Sequence, residues 1–176
     1  KWKEITFIIG SDLFNTNDSH GRTFNDTSVD KMKTDLVTRM NHAKMFYEPL
    51  IQSSAENSTK VTVVYEMGNH DKDTSAQFVN ALSWLFVDVE FIIKEQHYQT
   101  INFNEGKIVI GTHHGDKKNK PKAVAEAFHR YYSKEFALAD YSEILVGHLH
   151  HRFSAEHLNL FVQGLSTASK DSDFDY

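Results

Sequence analysis

The sequence contains no cysteine. Disulfides, thiolate metal sites and a cysteine nucleophile are therefore excluded, and nothing in the redox chemistry argues for secretion. No apolar run approaches the roughly 20 residues that span a bilayer, and the first residues lack a signal-peptide pattern. A cytoplasmic protein without membrane contact is the expectation. An excess of positive charge is also missing. With 19 Lys and Arg against 24 Asp and Glu, the formal charge is −5 and the pI is near 6.1. That argues against a dedicated, strongly basic nucleic-acid binder. It leaves a nuclease open, because bound divalent metals add positive charge that the count omits. There is no internal repeat, low-complexity tract or interdomain linker.

What remains is a chain of 176 residues, 40% hydrophobic, with 11 histidines. That is one domain with enough apolar residues for a core. The chain opens on Lys1 and reaches a core strand within a few residues. It reads as a single domain over 1–176, truncated at its N-terminus from a longer protein.

Ile5-Thr6-Phe7-Ile8-Ile9 ends at Gly10 and predicts a strand covered on both faces. Residues 15–27 are rich in Asn, Asp, Ser, Thr and Gly and predict a long polar loop of functional length. From Ser28 to about Gln52, the positions Val29, Met32, Leu36, Met40, Ala43, Tyr47 and Leu50 mark one helical face. Thr27 or Ser28 would cap it, Asp30 would suit its first turn, and Pro49 would kink or end it. Val61–Met67 predicts a second strand. A second helix would be capped by Asp73 or Thr74 and carry Phe78, Leu82, Leu85 and Phe86. Val89–Ile93 predicts a third strand. Tyr98–Phe103 and Lys107–Ile110 flank Asn104-Glu105-Gly106 as a hairpin. Pro121 opens a third helix with Val124, Phe128 and Tyr131. Ile144–Val146 predicts another strand, and Arg152–Glu156 with Leu158–Gln163 a closing antiparallel pair, before a polar tail from Ser166 to Tyr176. Strands alternate with helices early and dominate late. The predicted fold is α/β, a layered sandwich with mixed sheets.

Four predicted strand ends carry metal-competent side chains: Asp12; Asn69 with His70 and Asp71; His113 and His114; His148 and His150. Carboxylate, amide oxygen and neutral imidazole together suit Mn, Fe or Zn and poorly suit an all-oxygen calcium site. In open α/β sheets, sites form outside the carboxyl ends of strands. His113 and His114 are adjacent and point different ways, so only one of them should bind; His114, directly before Gly115, is preferred. His148 and His150 would point to one side in extended backbone. His151 reads as a surface neighbour. His20, His42, His97, His129 and His157 have no motif context, although His20 lies in the loop that should border the site.

Ser11-Asp12, Gly68-Asn69-His70-Asp71, Thr112-His113-His114-Gly115-Asp116 and Gly147-His148-Leu149-His150 follow one another in the order and approximate spacing of the calcineurin-like metallophosphoesterases. The chain resembles that family from Ile5 to about Val162. The loop from Asp12 through Thr27, with Gly21-Arg22-Thr23, also resembles the phosphoesterases of phage and prophage genomes. The resemblance implies a phosphodiesterase or nuclease with two divalent metals, Mn foremost, with Fe, Zn, Ni and Mg as alternatives. Asp12 would bridge the metals; Asn69, His114 and His148 would bind the second, and His150 the first. His70 would protonate the leaving oxygen, with Asp71 orienting its ring. The metals would clamp the phosphate and turn a bridging water into hydroxide. The substrate would be a phosphoester, DNA or a nucleotide foremost.

Three positions depart from the family. Its opening Asp-x-His has no counterpart among Lys1 to Ser11, so the first metal should be held weakly and this chain should be weakly active at most. Ser11 replaces a glycine, and Asn15 stands where many members carry an acid or histidine. Two rival readings follow: a phosphomonoesterase or cyclic-nucleotide phosphodiesterase acting on a small molecule or protein, and a protein-interaction scaffold without catalysis. Lys117, Lys118, Lys120 and Lys122 read first as a solvated loop and second as a phosphate-backbone rim beside Asp116. Phe14, Phe24 and Tyr65 read as packing residues, with base stacking as the alternative.

Overall fold

The computed structural model describes residues 1–25 and 34–166. The expected cap at Thr27 or Ser28, the first-turn Asp30, the helical positions Val29 and Met32, and nearly all of the tail lie outside the described residues. The chain is α/β, with two sheets and three α-helices among the described residues. It forms two compact units, Lys1–Glu95 and Gln96–Tyr176. No helix among the described residues is long and apolar enough to cross a membrane.

The first unit contains β1 (Trp2–Gly10), α1 (Leu36–Asn57), β2 (Ser58–Glu66), α2 (Lys72–Ser83) and β3 (Glu90–Ile92). The three strands are parallel in the order β1-β2-β3. Alternation along β2 sends Val61, Val63 and Tyr65 to one face. There they pack with Ile9, Phe14, Ile51, Phe78, Val79 and Leu82. Burying each large side chain of this set contributes roughly 1.5–3 kcal/mol. The strand β1 was expected to be covered on both faces. One face is open instead, with Ile8 38% exposed, and among the described residues β1 is an edge strand paired with β2.

Two expectations for the helices need correction. The first helix was to be kinked or ended by Pro49; it does not end there, and α1 runs through to Asn57. Pro49 and Met45 are exposed, so the carbonyl deprived of its N–H partner can turn to water. Asp35 is its cap, accepting from the Thr38 N–H at 2.9 Å. The buried stripe passes through Leu36, Met40, Ala43 and Tyr47 to Ile51, leaving Leu50 exposed. In α2, neither Asp73 nor Thr74 is the cap residue. The helix begins at Lys72 after Asp71, and its first amides are satisfied from the preceding loop, as described below.

The second unit contains β4 (Gln99–Phe103), a 3-10 turn (Asn104–Gly106), β5 (Ile108–His113), α3 (Pro121–Leu138), β6 (Tyr141–Val146), β7 (Phe153–His157) and β8 (Leu160–Gly164). The sheet order is β4-β5-β6-β8-β7, with a parallel centre and an antiparallel strand at each edge. Val109, Ile144, Val146 and Val162 from the sheet pack against Val124, Phe128 and Phe136 of α3. Tyr131 was expected in this core and is 61% exposed. Tyr132 leaves helical φ/ψ and sends its hydroxyl to the Tyr98 carbonyl at 2.6 Å, which rotates the buried face of α3. The closing hairpin turns at Leu158-Asn159, both at positive φ, one residue later than the sequence pattern placed it.

Candidate metal centre

In the first unit, the chain leaving β1 folds back sharply. Ser11 donates its N–H to the Glu66 carbonyl at 2.8 Å, and the next residues turn through left-handed backbone at Ser11 (φ 57°), Asp12 (φ 68°) and Asn15 (φ 59°). Asp and Asn enter this region at less cost than other side chains, but each still stores of order 1 kcal/mol. The fold-back directs the Asp12 carboxylate at the end of β2, where Oδ1 accepts the His70 N–H at 2.8 Å. Gly68 makes this approach feasible. A Cβ there would lie 2.1 Å from Asp12 Oδ1 and 2.5 Å from Asp12 N. Asn69 is half-buried in the same turn.

The ring of His70 is held by Asn15, with Nδ1 at 2.6 Å from Oδ1. This corrects the expectation that Asp71 orients it. Asp71 is fully buried, accepting the Phe14 N–H at 2.5 Å and the Ser75 hydroxyl at 2.7 Å. The reason is geometric: consecutive residues in a turn point apart, and the backbone that exposes His70 turns Asp71 inward. With the amide oxygen of Asn15 accepting from Nδ1–H, the other ring nitrogen, Nε2, remains for chemistry.

The loop of residues 15–25 is fixed at several points. Asn17 Oδ1 accepts from the N–H groups of Asp73 at 2.8 Å and Thr74 at 3.2 Å, capping α2 from 56 residues away. Its Nδ2 donates to Asp73 Oδ2 at 2.8 Å. Asp18 accepts from the backbone of His20 and Arg22 and from Arg22 Nε, and these bonds hold its carboxyl below the usual range, the Arg22 N–H foremost. Phe24 donates its N–H to the His70 carbonyl at 2.7 Å.

In the second unit, β5 and β6 are adjacent and parallel and end together, with the Gly147 N–H on the His113 carbonyl at 3.2 Å. His113 is 1% exposed, with Nδ1 facing the His97 carbonyl at 2.5 Å and Nε2 the Lys118 carbonyl at 3.0 Å. It stacks on Tyr98 at 4.4 Å. Burial pushes its pKa down, against the two carbonyls that favour the cation. His114 is 2% exposed and meets the His148 ring at 4.8 Å between centres, inclined at 66°. Gly115, at φ 108°, lets the strand ends meet: a Cβ would lie 2.9 Å from the Gly147 carbonyl oxygen and 3.2 Å from His148 Cβ.

The premise that His148 and His150 lie in extended backbone fails. Both are left-handed, at φ 66° and 56°. The Leu149 N–H reaches back to the Gly147 carbonyl at 2.8 Å, closing a three-residue turn centred on His148. Strain of this kind persists only where surrounding contacts enforce it, and it clusters at functional sites. His148 is half-buried and His150 is exposed.

No protein-family model matches the sequence, and no curated protein matches it. Three solved structures resemble the chain. Wild-type Vps29 from Entamoeba histolytica, complexed with zinc, is 14% identical, with a TM-score of 0.40 over 71% of this chain and 64% of that one. A single mutant of the same Vps29 is 13% identical, with a TM-score of 0.45 over 98% and 78%. An archaeal phosphodiesterase is 12% identical, with a TM-score of 0.40 over 72% and 79%.

Within the first unit the fold brings Asp12, Asn15, Asn69 and His70 to the end of β2 and buries Asp71 beneath them. Within the second it brings His114 to His148 and engages both nitrogens of His113 with carbonyl oxygens. Two imidazoles bound to one ion at about 2.1 Å, with about 90–109° between them, place their ring centres roughly 4.6–5.3 Å apart. The His114–His148 separation of 4.8 Å fits a shared divalent ion. Asn17 was missed, and Asn15 was noted only as a departure from the family and given no role in the site. The available signal was their type, since Asn tolerates left-handed backbone and caps helices.

Proposed function

We propose that this chain is the core of a metal-dependent phosphoester hydrolase of the calcineurin-like kind, a phosphodiesterase acting on nucleic acid or a nucleotide. The observation that carries the reading is the His114–His148 pair, held at 4.8 Å at the ends of two parallel strands by a strained turn. By the family resemblance, the first unit offers Asp12 and Asn69 as donors for divalent metal, Mn foremost, and the second offers His114, His148 and His150. Metal bound there would polarise phosphoryl oxygens and lower the pKa of water toward about 7.

The chain's own residues supply the rest. Asn15 holds Nδ1–H of His70, so a protonated His70 presents Nε2–H to the leaving oxygen. Asp12 grips the His70 backbone N–H, which couples the acid's position to a metal ligand. Lys118, Lys120 and Lys122 are exposed just beyond His114 and support a phosphate-backbone rim. Lys117 contributes less, being bound to Asp116 at 3.0 Å. Burial is the largest single influence on the Asp116 carboxyl and raises its pKa, but the Lys117 bond together with the charges of Lys117, His114 and His97 outweighs it, and the pKa falls.

The test is turnover of bis-p-nitrophenyl phosphate against the monoester with Mn, followed by single-stranded DNA. A diester preference that is lost in His70→Ala is expected. A clear monoester preference would sink the phosphodiesterase reading. A second reading, a non-catalytic interaction scaffold, is favoured by the exposed Met45 (74%), Phe46 (62%), Trp84 (73%) and Val87 (85%) of the first unit. Absence of micromolar Mn binding, with no effect of His70→Ala, would establish it over the first.

A further inference from the structure

Of the three aromatic residues that the sequence offered for base stacking, two are committed to the interior. Phe14 is 3% exposed and packs edge-on against Phe78 at 5.3 Å. Tyr65 is fully buried, with its hydroxyl on the Lys72 carbonyl. Phe24 is 46% exposed. Its backbone N–H is bonded to the carbonyl of His70, the residue read above as the acid.

The ring of Phe24 is also backed by a fixed cation. The Lys72 ammonium lies 5.0 Å from the ring centre and is anchored at 2.6 Å to Glu95. An exposed ring on a loose loop would be ordinary, but the loop bearing Phe24 is pinned by Asn17 at the start of α2, by Asp18 within itself and by the His70 bond. A flat apolar ring held in water beside a phosphoester acid suits a flat partner. The cation behind one face draws electron density from the ring, which favours an electron-rich base on the other.

We propose that Phe24 is the stacking platform for the base of a nucleoside phosphate, making it the specificity-determining residue of the site. The side of the phosphate on which that nucleoside lies, the leaving side, rests on the hydrolase reading, whereas recognition of the base rests on Phe24 alone. The shared chemistry is a base joined to a phosphate, in a free nucleotide or in a nucleic-acid strand.

The test measures binding to the Mn-loaded protein by calorimetry, using adenosine monophosphate, ribose phosphate and a short single-stranded deoxyadenylate. Wild type should bind adenosine monophosphate at least about tenfold more tightly than ribose phosphate, the range of one base–aromatic stack. Phe24→Leu should bring the two affinities together, and Phe24→Trp should keep them apart. Ribose phosphate affinity and the unfolding midpoint should stay level in all three proteins, which a structural role for the ring would not allow. If the strand loses affinity in Phe24→Leu by the same factor, the natural source is nucleic acid; if only the mononucleotide does, it is a free nucleotide. No base preference in wild type, or an intact preference in Phe24→Leu, overturns the proposal. Turnover of bis-p-nitrophenyl phosphate is followed in parallel. A base preference without even weak Mn-dependent turnover counts against the hydrolase reading and leaves nucleoside recognition standing.

Discussion

Replacing Gly68 by alanine tests whether the approach of Asp12 to the end of β2 organises the first unit's half of the site. The new Cβ would lie 2.1 Å from Asp12 Oδ1, where ordinary contact begins at 3.4 Å, so the carboxylate must retreat by about 1.3 Å. Retreat of that size breaks its 2.8 Å bond to the His70 N–H. A hydrogen bond to a charged group is worth about 1.5–3 kcal/mol. The contact with Asp12 N at 2.5 Å adds to this, because it involves backbone already turned to φ 68°. Overpacking of this kind costs typically about 1–3 kcal/mol. The combined loss is roughly 3–5 kcal/mol, which for a chain of this length lowers Tm by about 10 °C. Mn affinity measured by calorimetry should fall at least about tenfold, since a ligand is displaced. Gly106→Ala is the control. It has φ 84° and nothing within 4 Å of a new Cβ, so backbone strain of about 1–2 kcal/mol is its whole effect and Mn affinity should not change. If Gly68→Ala melts with wild type and binds Mn equally, Asp12 is not held where its bond to the His70 N–H places it, and the account of the site fails.

Asn17→Ala removes the acceptor for two α2 amides and should destabilise the protein by about 1–2 kcal/mol in urea unfolding, whereas Asn17→Asp keeps the acceptor but sets a second carboxylate against Asp73 and should recover only part of the loss. Asn15→Ala frees the His70 ring and should lower kcat for diester hydrolysis by at least about tenfold with little change in Tm; an unchanged kcat would remove Asn15 from the mechanism. Mn at about 100 times its Kd should stabilise the folded protein by roughly 2.7 kcal/mol, and chelation should reverse the rise in Tm. His148→Ala should abolish that metal-dependent rise.

Much of the strand and helix order was legible because it is local. The run Val61–Tyr65 alternates between faces, β-branched residues favour extended backbone, and Pro121 suits a first helical turn. The same local logic failed where a distant partner intervened. Nothing near Lys72 indicates that Asn17, 56 residues away, supplies the cap of α2. Nothing in Gly-His-Leu-His indicates that both histidines leave extended backbone, because the turn depends on a Leu149–Gly147 bond made as the chain leaves β6.

The sequence by itself determined the chemistry on offer: no thiol, and carboxylate, amide and imidazole groups after apolar strands. Only the tertiary structure decided how neighbours divide their roles. Asp71 is buried under Phe14 and Ser75, and Asn15 takes the His70 ring. His113 meets two carbonyls, while His114 meets His148. Adjacent residues carry nearly the same local information, but their side chains leave the backbone in different directions. Which one is buried and which one reaches the site is therefore settled by packing and backbone turn.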